Sequence, residues 1–240
     1  MDFNILDVDS LFGFWPLRKA DLSVEALIAT VQQQNVKRTL TLSTTGIFSD
    51  YQRGNEETVQ VCQRSPALFP TATVDPRRYV GCLEEIDRRV GQGIKLFRLF
   101  PEYQGWPLDF APFRRILERL AERQAVAMIE AGEWGVPTRL ADLTRNLGLT
   151  LILAAVPAAG LGELLAVLEE HPNLYVETRL LSSPQALELL VSHFGAERLV
   201  FGSGTPLYYF SSALMPLQAA NLPDSQKAQI LGDNLRRLLS

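Results

Sequence analysis

The feature that most constrains the fold is a regular alternation of short apolar runs with amphipathic segments along the whole chain. Runs rich in β-branched and apolar residues predict eight strands, at Phe3–Val8, Arg38–Ser43, Leu68–Val74, Gly93–Phe100, Ala125–Glu130, Leu149–Ala154, Leu174–Thr178 and Leu199–Phe201. Apolar residues spaced three and four apart predict eight helices, at Ser23–Gln34, Glu56–Arg64, Val80–Val90, Phe110–Arg123, Thr138–Asn146, Gly162–His171, Pro184–His193 and Ser225–Leu239.

Strands that alternate with helical crossovers run parallel to one another, and eight such units close naturally into a barrel. The sequence therefore predicts an α/β fold, a single (β/α)8 TIM barrel that spans residues 1–240 as one domain. An open doubly wound sheet is the alternative topology. We disfavour it because no glycine-rich phosphate-binding turn follows the first predicted strand.

Composition excludes several classes of partner. The 27 acidic and 23 basic residues give a net charge of −4, and no basic block indicates nucleic acid or a lipid surface. The chain begins without the basic and apolar regions of a signal peptide, and its most apolar stretch, 147–165, is interrupted by glycine and proline. The two cysteines, Cys62 and Cys82, do not form a CxxC pair and are expected to be reduced thiols. We expect a cytoplasmic protein with no nucleic-acid or membrane partner.

In such barrels, functional side chains collect at the carboxyl ends of the strands. The polar residues predicted there are Asp7, Asp9, Ser10, Ser43, Thr44, Thr45, Thr73, Asp75, Lys95, Arg98, Glu130, Glu177, Thr178, Arg179, Ser203 and Thr205. This set has no histidine or cysteine, so a zinc or iron site with nitrogen and sulfur ligands is not expected. The two histidines, His171 and His193, end helices instead, where the helix dipole favours a cation.

Six segments in order carry a family resemblance. They are Asp7–Gly13, Gly93–Pro101, Met128–Gly132, Leu151–Ala155, Phe201–Pro206 and Gly232–Leu238. They are similar to the opening Asp-x-His-x-His-x-Gly motif, the histidine-bearing ends of strands four, five and six, the Phe-Gly-Ser-Asp-x-Pro motif of strand eight and the closing Gly-x-Asn-x-x-Arg-Leu helix. The chain thus resembles the amidohydrolase superfamily, in its branch of metal-dependent hydrolases and nonoxidative decarboxylases, over nearly its full length.

The resemblance implies a metal centre whose ligands have been replaced. Five family positions that hold the metal or activate its water carry Asp9, Leu11, Glu130, Ala155 and Gly204 here. Because leucine and alanine cannot coordinate a metal, we expect no metal and no cofactor at this site. The alternative is a hard divalent cation such as Mg²⁺ or Mn²⁺, bound by oxygen ligands from Asp9, Glu130 and Asp75.

Asp9, Glu130 and Arg98 are the predicted catalytic residues. The two carboxylates are expected in the barrel mouth as an acid/base pair, and Arg98 is expected to bind an anionic group of the ligand. The alternative is a structural ion pair among these three side chains, because buried charges need partners. Lys95 has the opposite strand parity to Arg98. Glu177 and Arg179 are expected to form an exposed loop ion pair.

The predicted loops at this end carry aromatic side chains, at Phe14, Trp15, Tyr103, Trp106, Tyr208 and Tyr209. They are expected to line a ligand pocket, to plug the barrel mouth or to form an interface between copies of the chain. No histidine lies where it would activate Ser43 or Ser203, which disfavours a serine hydrolase.

Three hypotheses remain open. In the first, the chain binds a small anionic molecule at a metal-free barrel mouth. In the second, it is an active hydrolase or decarboxylase that uses a carboxylate-bound divalent metal. In the third, it is a scaffold without chemistry that self-associates or binds a protein. The sequence leaves open whether the chain is an enzyme.

Overall fold

The computed structural model describes residues 3–240, and within this part it contains eight strands and twelve α-helices. The strands are β1 (Leu6–Phe12), β2 (Arg38–Ser43), β3 (Leu68–Pro70), β4 (Leu96–Leu99), β5 (Val126–Glu130), β6 (Thr150–Ala154), β7 (Leu174–Glu177) and β8 (Leu199–Val200). The helices are α1 (Val24–Gln33), α2 (Thr45–Phe48), α3 (Tyr51–Cys62), α4 (Cys82–Gly91), α5 (Pro101–Gln104), α6 (Ala111–Glu122), α7 (Val136–Thr144), α8 (Leu161–Glu170), α9 (Ala186–Phe194), α10 (Phe210–Ala219), α11 (Asp224–Ala228) and α12 (Asn234–Leu238).

Parallel pairing joins the strands into a ring. The strands β1-β2-β3 and β4-β5-β6-β7-β8 form two sheets, each in sequence order. The gap between the β3 and β4 sides is bridged by a hydrogen bond from the Ala72 backbone N–H to the Leu96 carbonyl oxygen, 3.0 Å long. The gap between the β8 and β1 sides is bridged by a hydrogen bond from the Leu11 N–H to the Thr205 carbonyl oxygen, also 3.0 Å long. The predicted (β/α)8 barrel is confirmed.

Two apolar clusters follow from the alternation of side chains along each strand. The inner cluster fills the barrel with Leu6, Val8, Leu40, Leu96, Val126, Met128, Ile152, Ala154, Val200 and Leu235. The outer cluster lies between strands and helices and includes Phe97, Ile129 and Leu153, none of which has measurable exposure. Each fully buried aliphatic or aromatic side chain contributes about 1.5–3 kcal/mol to folding, so the packed interior dominates the stability of the barrel.

Some predicted boundaries are wrong in ways that affect the site. β1 runs from Leu6 to Phe12 rather than ending at Val8, so Asp9 lies inside the strand. Its pairing with β2 is irregular between Asp7 and Ser10, which marks a β-bulge. Strict alternation would place Val8 and Asp9 on opposite faces of the sheet. With the bulge, Val8 packs in the inner cluster while Asp9 also reaches the barrel interior.

β4 begins at Leu96, so Lys95 precedes the strand and lies at the amino-terminal end of the barrel. The prediction that Lys95 belongs to the functional end is therefore wrong. The predicted last helix is also divided, because a π-helical turn at Gln229–Asp233 separates α11 from α12. In residues 3–240 no helix combines the length and apolar character that crossing a membrane requires.

Candidate functional site

The structure brings the three predicted site residues into contact. Asp9 comes from β1, Arg98 from β4 and Glu130 from the last position of β5. One terminal nitrogen of Arg98, Nη1, donates to Asp9 Oδ1, and the other, Nη2, donates to Glu130 Oε1 at 3.0 Å. All three lie toward the carboxyl end of the barrel, so the expected juxtaposition is observed. The arrangement is the ion pair that the sequence left as the alternative to an acid/base pair.

A fourth member of the cluster is Arg179, which the sequence placed at this end of the barrel but in an exposed loop. Its Nη1 donates to Asp9 Oδ2 at 2.9 Å, so the two oxygens of Asp9 are shared between two guanidinium groups. The prediction that Glu177 and Arg179 form an exposed loop pair is wrong, because Glu177 is fully buried and Arg179 is 5% exposed. Their spacing of two residues at the end of β7 is consistent with both side chains facing the barrel interior rather than the solvent.

Arg179 occupies the space beside Gly204. A Cβ atom built on Gly204 would lie 2.2 Å from Arg179 Nη1 and 2.8 Å from Tyr208 Cδ2, closer than van der Waals contact permits. Gly204 also has a φ of +67°, which favours glycine. The resemblance implies an aspartate at this position, and Arg179 as placed here leaves no room for one. The absence of a side chain at Gly204 and the inward position of Arg179 therefore depend on each other.

Burial controls the protonation of the carboxyl groups in this cluster. Burial raises the pKa of Glu177 to about 7, with Arg179 opposing the shift. Burial also raises the pKa of Glu130 above its ordinary value, against the attraction of Arg98 and Arg179. For Arg179, burial disfavours the charge, but Glu177, Asp9 and Glu130 hold its pKa above the ordinary value. Arg179 therefore stays charged, Glu177 titrates near neutrality, and the neutral form of Glu130 is favoured by its burial.

Burial also raises the pKa of Asp7, which lies behind the site. Its Oδ1 accepts the backbone N–H of Ser203 at 2.9 Å and its Oδ2 accepts the Ser203 hydroxyl, so it joins β1 to the segment after β8. Burial raises the pKa of Asp7 to about 7, although both of these hydrogen bonds favour the ionised form.

Each buried guanidinium keeps an unused donor. The Nε atoms of Arg98 and Arg179 have no hydrogen-bond partner among residues 3–240. The guanidinium carbon of Arg98 lies 4.8 Å from the ring centroid of Phe100, and that of Arg179 lies 4.8 Å from the ring centroid of Tyr208. These ring contacts hold the arginines in place and contribute about 1–2 kcal/mol each when desolvated.

Aromatic side chains close the barrel mouth. The ring centroids of Trp15 and Phe48 are 5.1 Å apart, and those of Trp15 and Tyr103 are 5.0 Å apart, both with edge-to-face geometry. Trp15 is buried within its own chain, which supports the plug over the interface for this residue. Of the other loop aromatics, Trp106 is buried whereas Phe14 and Tyr209 are exposed.

Asp75 and Ser43 have local partners, whereas the buried hydroxyl groups of Thr73 and Thr178 have none among residues 3–240. Asp75 caps the turn at Pro76–Arg78 and pairs with Arg77 at 2.8 Å, so it is engaged away from Asp9. The Ser43 hydroxyl donates to Glu57 at 2.8 Å. His193 contacts the Leu189 carbonyl oxygen within its own helix, as expected for a histidine at a helix end.

Known proteins resemble this chain in sequence profile and in fold. The sequence profile of the amidohydrolase family matches residues 12–240. The chain belongs to this family. A search of curated protein sequences finds no match.

Solved structures of similar proteins have the same fold. One is 5-carboxyvanillate decarboxylase from Sphingomonas paucimobilis, at 15% identity and a TM-score of 0.76, covering 99% of each chain. A second is 2,6-dihydroxybenzoate decarboxylase from Rhizobium, at 13% identity and a TM-score of 0.76, also covering 99% of each chain. A third is 5-carboxyvanillate decarboxylase from Novosphingobium aromaticivorans, at 14% identity and a TM-score of 0.79, covering 99% of this chain and 96% of that one.

The third comparison corrects the expectation about cofactors. The Novosphingobium enzyme was solved in complex with manganese and 4-hydroxy-3-methoxy-5-nitrobenzoic acid. The prediction that the site uses no cofactor is therefore wrong, and a divalent metal is the cofactor that the comparison indicates.

The side chains, as arranged here, do not fit such an ion. Residues 3–240 contain no group of three or more His, Cys, Asp or Glu side chains placed to hold a metal. Both oxygens of Asp9 and one oxygen of Glu130 accept hydrogen bonds from guanidinium nitrogens. A cation at Asp9 would have to displace Arg98 and Arg179, because like charges exclude each other from one pair of oxygens.

Proposed function

We propose that the carboxyl end of this amidohydrolase barrel binds a small carboxylate through Arg98 and Arg179, with Asp9 and Glu130 orienting it. The observation that carries the proposal is the convergence of two buried guanidinium groups on Asp9, each with an Nε that donates no hydrogen bond. The Nε of Arg179 lies 3.8 Å from Glu177 Oε2. Planar guanidinium groups match carboxylates in two-bond geometry.

The ligands of similar structures support this chemical class. A 2,6-dihydroxybenzoate decarboxylase was solved with 2,6-dihydroxybenzoate, and a protein from Acinetobacter baumannii described as a probable 2-pyrone-4,6-dicarboxylic acid hydrolase was solved with citric acid. Together with the nitrobenzoic acid of the Novosphingobium complex, each of these ligands is a carboxylic acid. In the barrel mouth of this chain, the guanidinium groups of Arg98 and Arg179 are the groups that would pair with such a carboxylate.

Charge balance couples ligand binding to a proton. The two guanidinium groups already face the carboxyl groups of Asp9, Glu130 and Glu177, so an added carboxylate brings excess negative charge to the site. Protonation of Glu130, whose pKa is already raised by burial, removes that charge. Binding should therefore take up a proton and weaken as pH rises. Glu130 then carries a proton beside the ligand and is the group placed to donate it.

The ligand needs an opening in the aromatic closure. Asp9, Arg98 and Arg179 are nearly inaccessible, whereas Glu130 and Tyr208 are more exposed. Tyr208 separates Arg179 from the surface, where Arg18 lies 5.0 Å from the centroid of the same ring. We propose that Tyr208 moves aside to admit the ligand and that Arg18 attracts the anion to this side of the barrel.

The binding test uses 2,6-dihydroxybenzoate and its carboxylate-free counterpart, resorcinol, in titration calorimetry at pH 6. We expect saturable binding of the benzoate and at least tenfold weaker binding of resorcinol. Arg179→Met should weaken benzoate binding at least tenfold, whereas Arg139→Met, a surface change on α7, should not alter it. Circular dichroism verifies that each variant is folded. Equal binding of the two compounds, or an unaltered affinity in Arg179→Met, contradicts the proposal.

The manganese complex favours a second candidate, a decarboxylase or hydrolase that uses a divalent cation at Asp9 and Glu130. Because guanidinium groups and cations compete for the same oxygens, Arg98→Met should bind Mn²⁺ more tightly than the wild type and gain a larger rise in melting temperature. Asp9→Asn should remove the rise in both backgrounds.

Activity of this second candidate is measured as conversion of 2,6-dihydroxybenzoate to resorcinol with and without Mn²⁺. Glu130→Gln should abolish turnover while the fold is retained. The absence of any manganese-dependent change in melting temperature, in wild type and Arg98→Met alike, would reject the second candidate and leave the first in place.

A further inference from the structure

A cavity of about 340 Å³ lies at the opposite end of the barrel, where the strands begin. It is bounded by the starts of β1 to β4 and by the last residues of the chain. Its lining residues are Leu6, Arg38, Leu40, Phe69, Pro70, Gly93, Lys95, Leu96, Arg236, Leu239 and Ser240, which together define the base pocket. Asp9, Arg98 and Glu130 are absent from this lining, so the base pocket is separate from the barrel mouth.

The base pocket combines an apolar interior with a basic rim. Leu6, Leu40 and Leu96 belong to the inner cluster of the barrel and are almost completely buried. Arg38, Lys95 and Arg236 supply three positive charges, and no acidic side chain among the described residues lines the pocket. An apolar cavity edged by charge of one sign is complementary to a molecule with an apolar body and one charge of the opposite sign.

The rim cations are available to a ligand. The guanidinium carbon of Arg38 lies 4.7 Å from the ring centroid of Phe69, and Arg38 makes no salt bridge within residues 3–240. Lys95 Nζ donates to the main-chain oxygen of Ser240, the last residue of the sequence, so a ligand would share or displace this contact. Arg236 pairs with Asp233, but both side chains are about half exposed and such a pair contributes less than about 1 kcal/mol.

Structural support alone does not account for these features. The amino-terminal end of such barrels usually serves stability, and interiors that serve stability are filled to nearly crystalline density. Here a cavity of about 340 Å³ remains, and its lining includes the cationic side chains of Arg38, Lys95 and Arg236. A bound anion with an apolar body would pair with these cations and fill the apolar space.

We propose that the base pocket is a second binding site, for a medium-chain carboxylate whose head meets Arg38 and Lys95 and whose tail packs on Leu6, Leu40 and Leu96. The volume would hold on the order of ten water molecules, which suits a ligand of roughly ten to fifteen non-hydrogen atoms. Octanoate, an eight-carbon chain with one carboxylate, has this size and charge.

The test is a calorimetric titration of the full chain with octanoate and with 1-octanol, the uncharged counterpart. Octanoate should bind at one site, and octanol at least tenfold more weakly. Arg38→Gln should raise the octanoate Kd at least tenfold without unfolding the protein, because Arg38 is exposed. Leu239→Trp should abolish binding by filling the pocket. Arg114→Gln, an exposed change on α6, is the matched control and should leave the Kd unaltered.

The barrel mouth provides the second comparison, since it too is proposed to take a carboxylate. Octanoate binding should be unaffected by Arg179→Met. In methyl NMR spectra, octanoate should shift the methyl signals of Leu6, Leu40 and Leu96. No octanoate binding, or binding that survives both Arg38→Gln and Leu239→Trp, overturns the base pocket as a site. Binding that is lost in Arg179→Met but kept in Arg38→Gln overturns it as well, while supporting the proposal for the mouth.

Discussion

At the residue scale, Asp9 determines the chemistry of the barrel mouth, because both of its carboxylate oxygens accept hydrogen bonds from buried guanidinium groups. Removing one member of a buried ion pair costs about 3–5 kcal/mol, since the partner remains desolvated and unpaired. The cluster therefore serves folding whether or not a ligand is bound. Its functional role rests on what else the free Nε atoms and the titrating carboxyl groups can do.

Asp7 predicts a specific pH dependence of stability. Its pKa is about 7 in the folded protein, above the ordinary value of 3.8, so its neutral form stabilises the fold below pH 4 and this contribution is lost as pH rises through 7. Glu177, also with a pKa of about 7, acts in the same direction. The free energy of unfolding should fall between pH 5 and pH 8, by up to about 1.4 kcal/mol per pH unit for each group.

Urea denaturation at pH 5 and pH 8 measures this effect. In Asp7→Asn the difference between the two pH values should shrink, because the amide stays neutral at both. The exposed Asp109 provides the control, and Asp109→Asn should keep the full difference. Stability that rises toward pH 8, or an unaltered difference in Asp7→Asn, would show that Asp7 is ionised throughout this range.

At the scale of elements, the segments that follow the strands build the mouth, and these were the hardest to predict. The short helices α2 and α5 were absent from the predicted set, and each carries one ring of the aromatic closure, Phe48 and Tyr103. Four-residue helices leave almost no periodic signal, because they complete little more than one turn. The start of α1 had a clear signal, because Ser23 Oγ accepts the Ala26 N–H at 3.2 Å as predicted. The ten-residue helix α10 (Phe210–Ala219) was also absent from the predicted set.

Trp15 tests the importance of this closure. Trp15→Ala should lower the free energy of unfolding by about 3–5 kcal/mol, because it leaves a cavity beneath Phe48 and Tyr103. Trp134 is the matched control, since its side chain is exposed after β5, and Trp134→Ala should alter stability by less than about 0.5 kcal/mol. Chemical denaturation compares the two variants. Equal effects, or a fall in mass by light scattering in Trp15→Ala alone, would identify Trp15 as an interface residue instead.

At the scale of the whole molecule, the barrel presents two chemically different ends. The carboxyl end buries opposite charges against one another, whereas the amino end leaves three cations around an apolar cavity. The last helix, α12, is bonded to the segment where β8 begins. Asn234 Nδ2 donates to the carbonyl oxygens of Ala196 and Leu199 at 2.7 and 2.8 Å. A similar barrel was solved with manganese, whereas the carboxyl end of this barrel holds the ion-paired cluster of Asp9, Arg98, Glu130 and Arg179.

The sequence alone determined the barrel, because eight alternations of period-two and helical patterns allow few other arrangements of buried surface. It also brought Asp9, Arg98 and Glu130 to one end, since the carboxyl ends of parallel strands converge. Only the tertiary structure decided how those charges pair. The bulge in β1, the inward path of Arg179 and the space beside Gly204 depend on contacts between residues up to 170 positions apart, which no local pattern encodes.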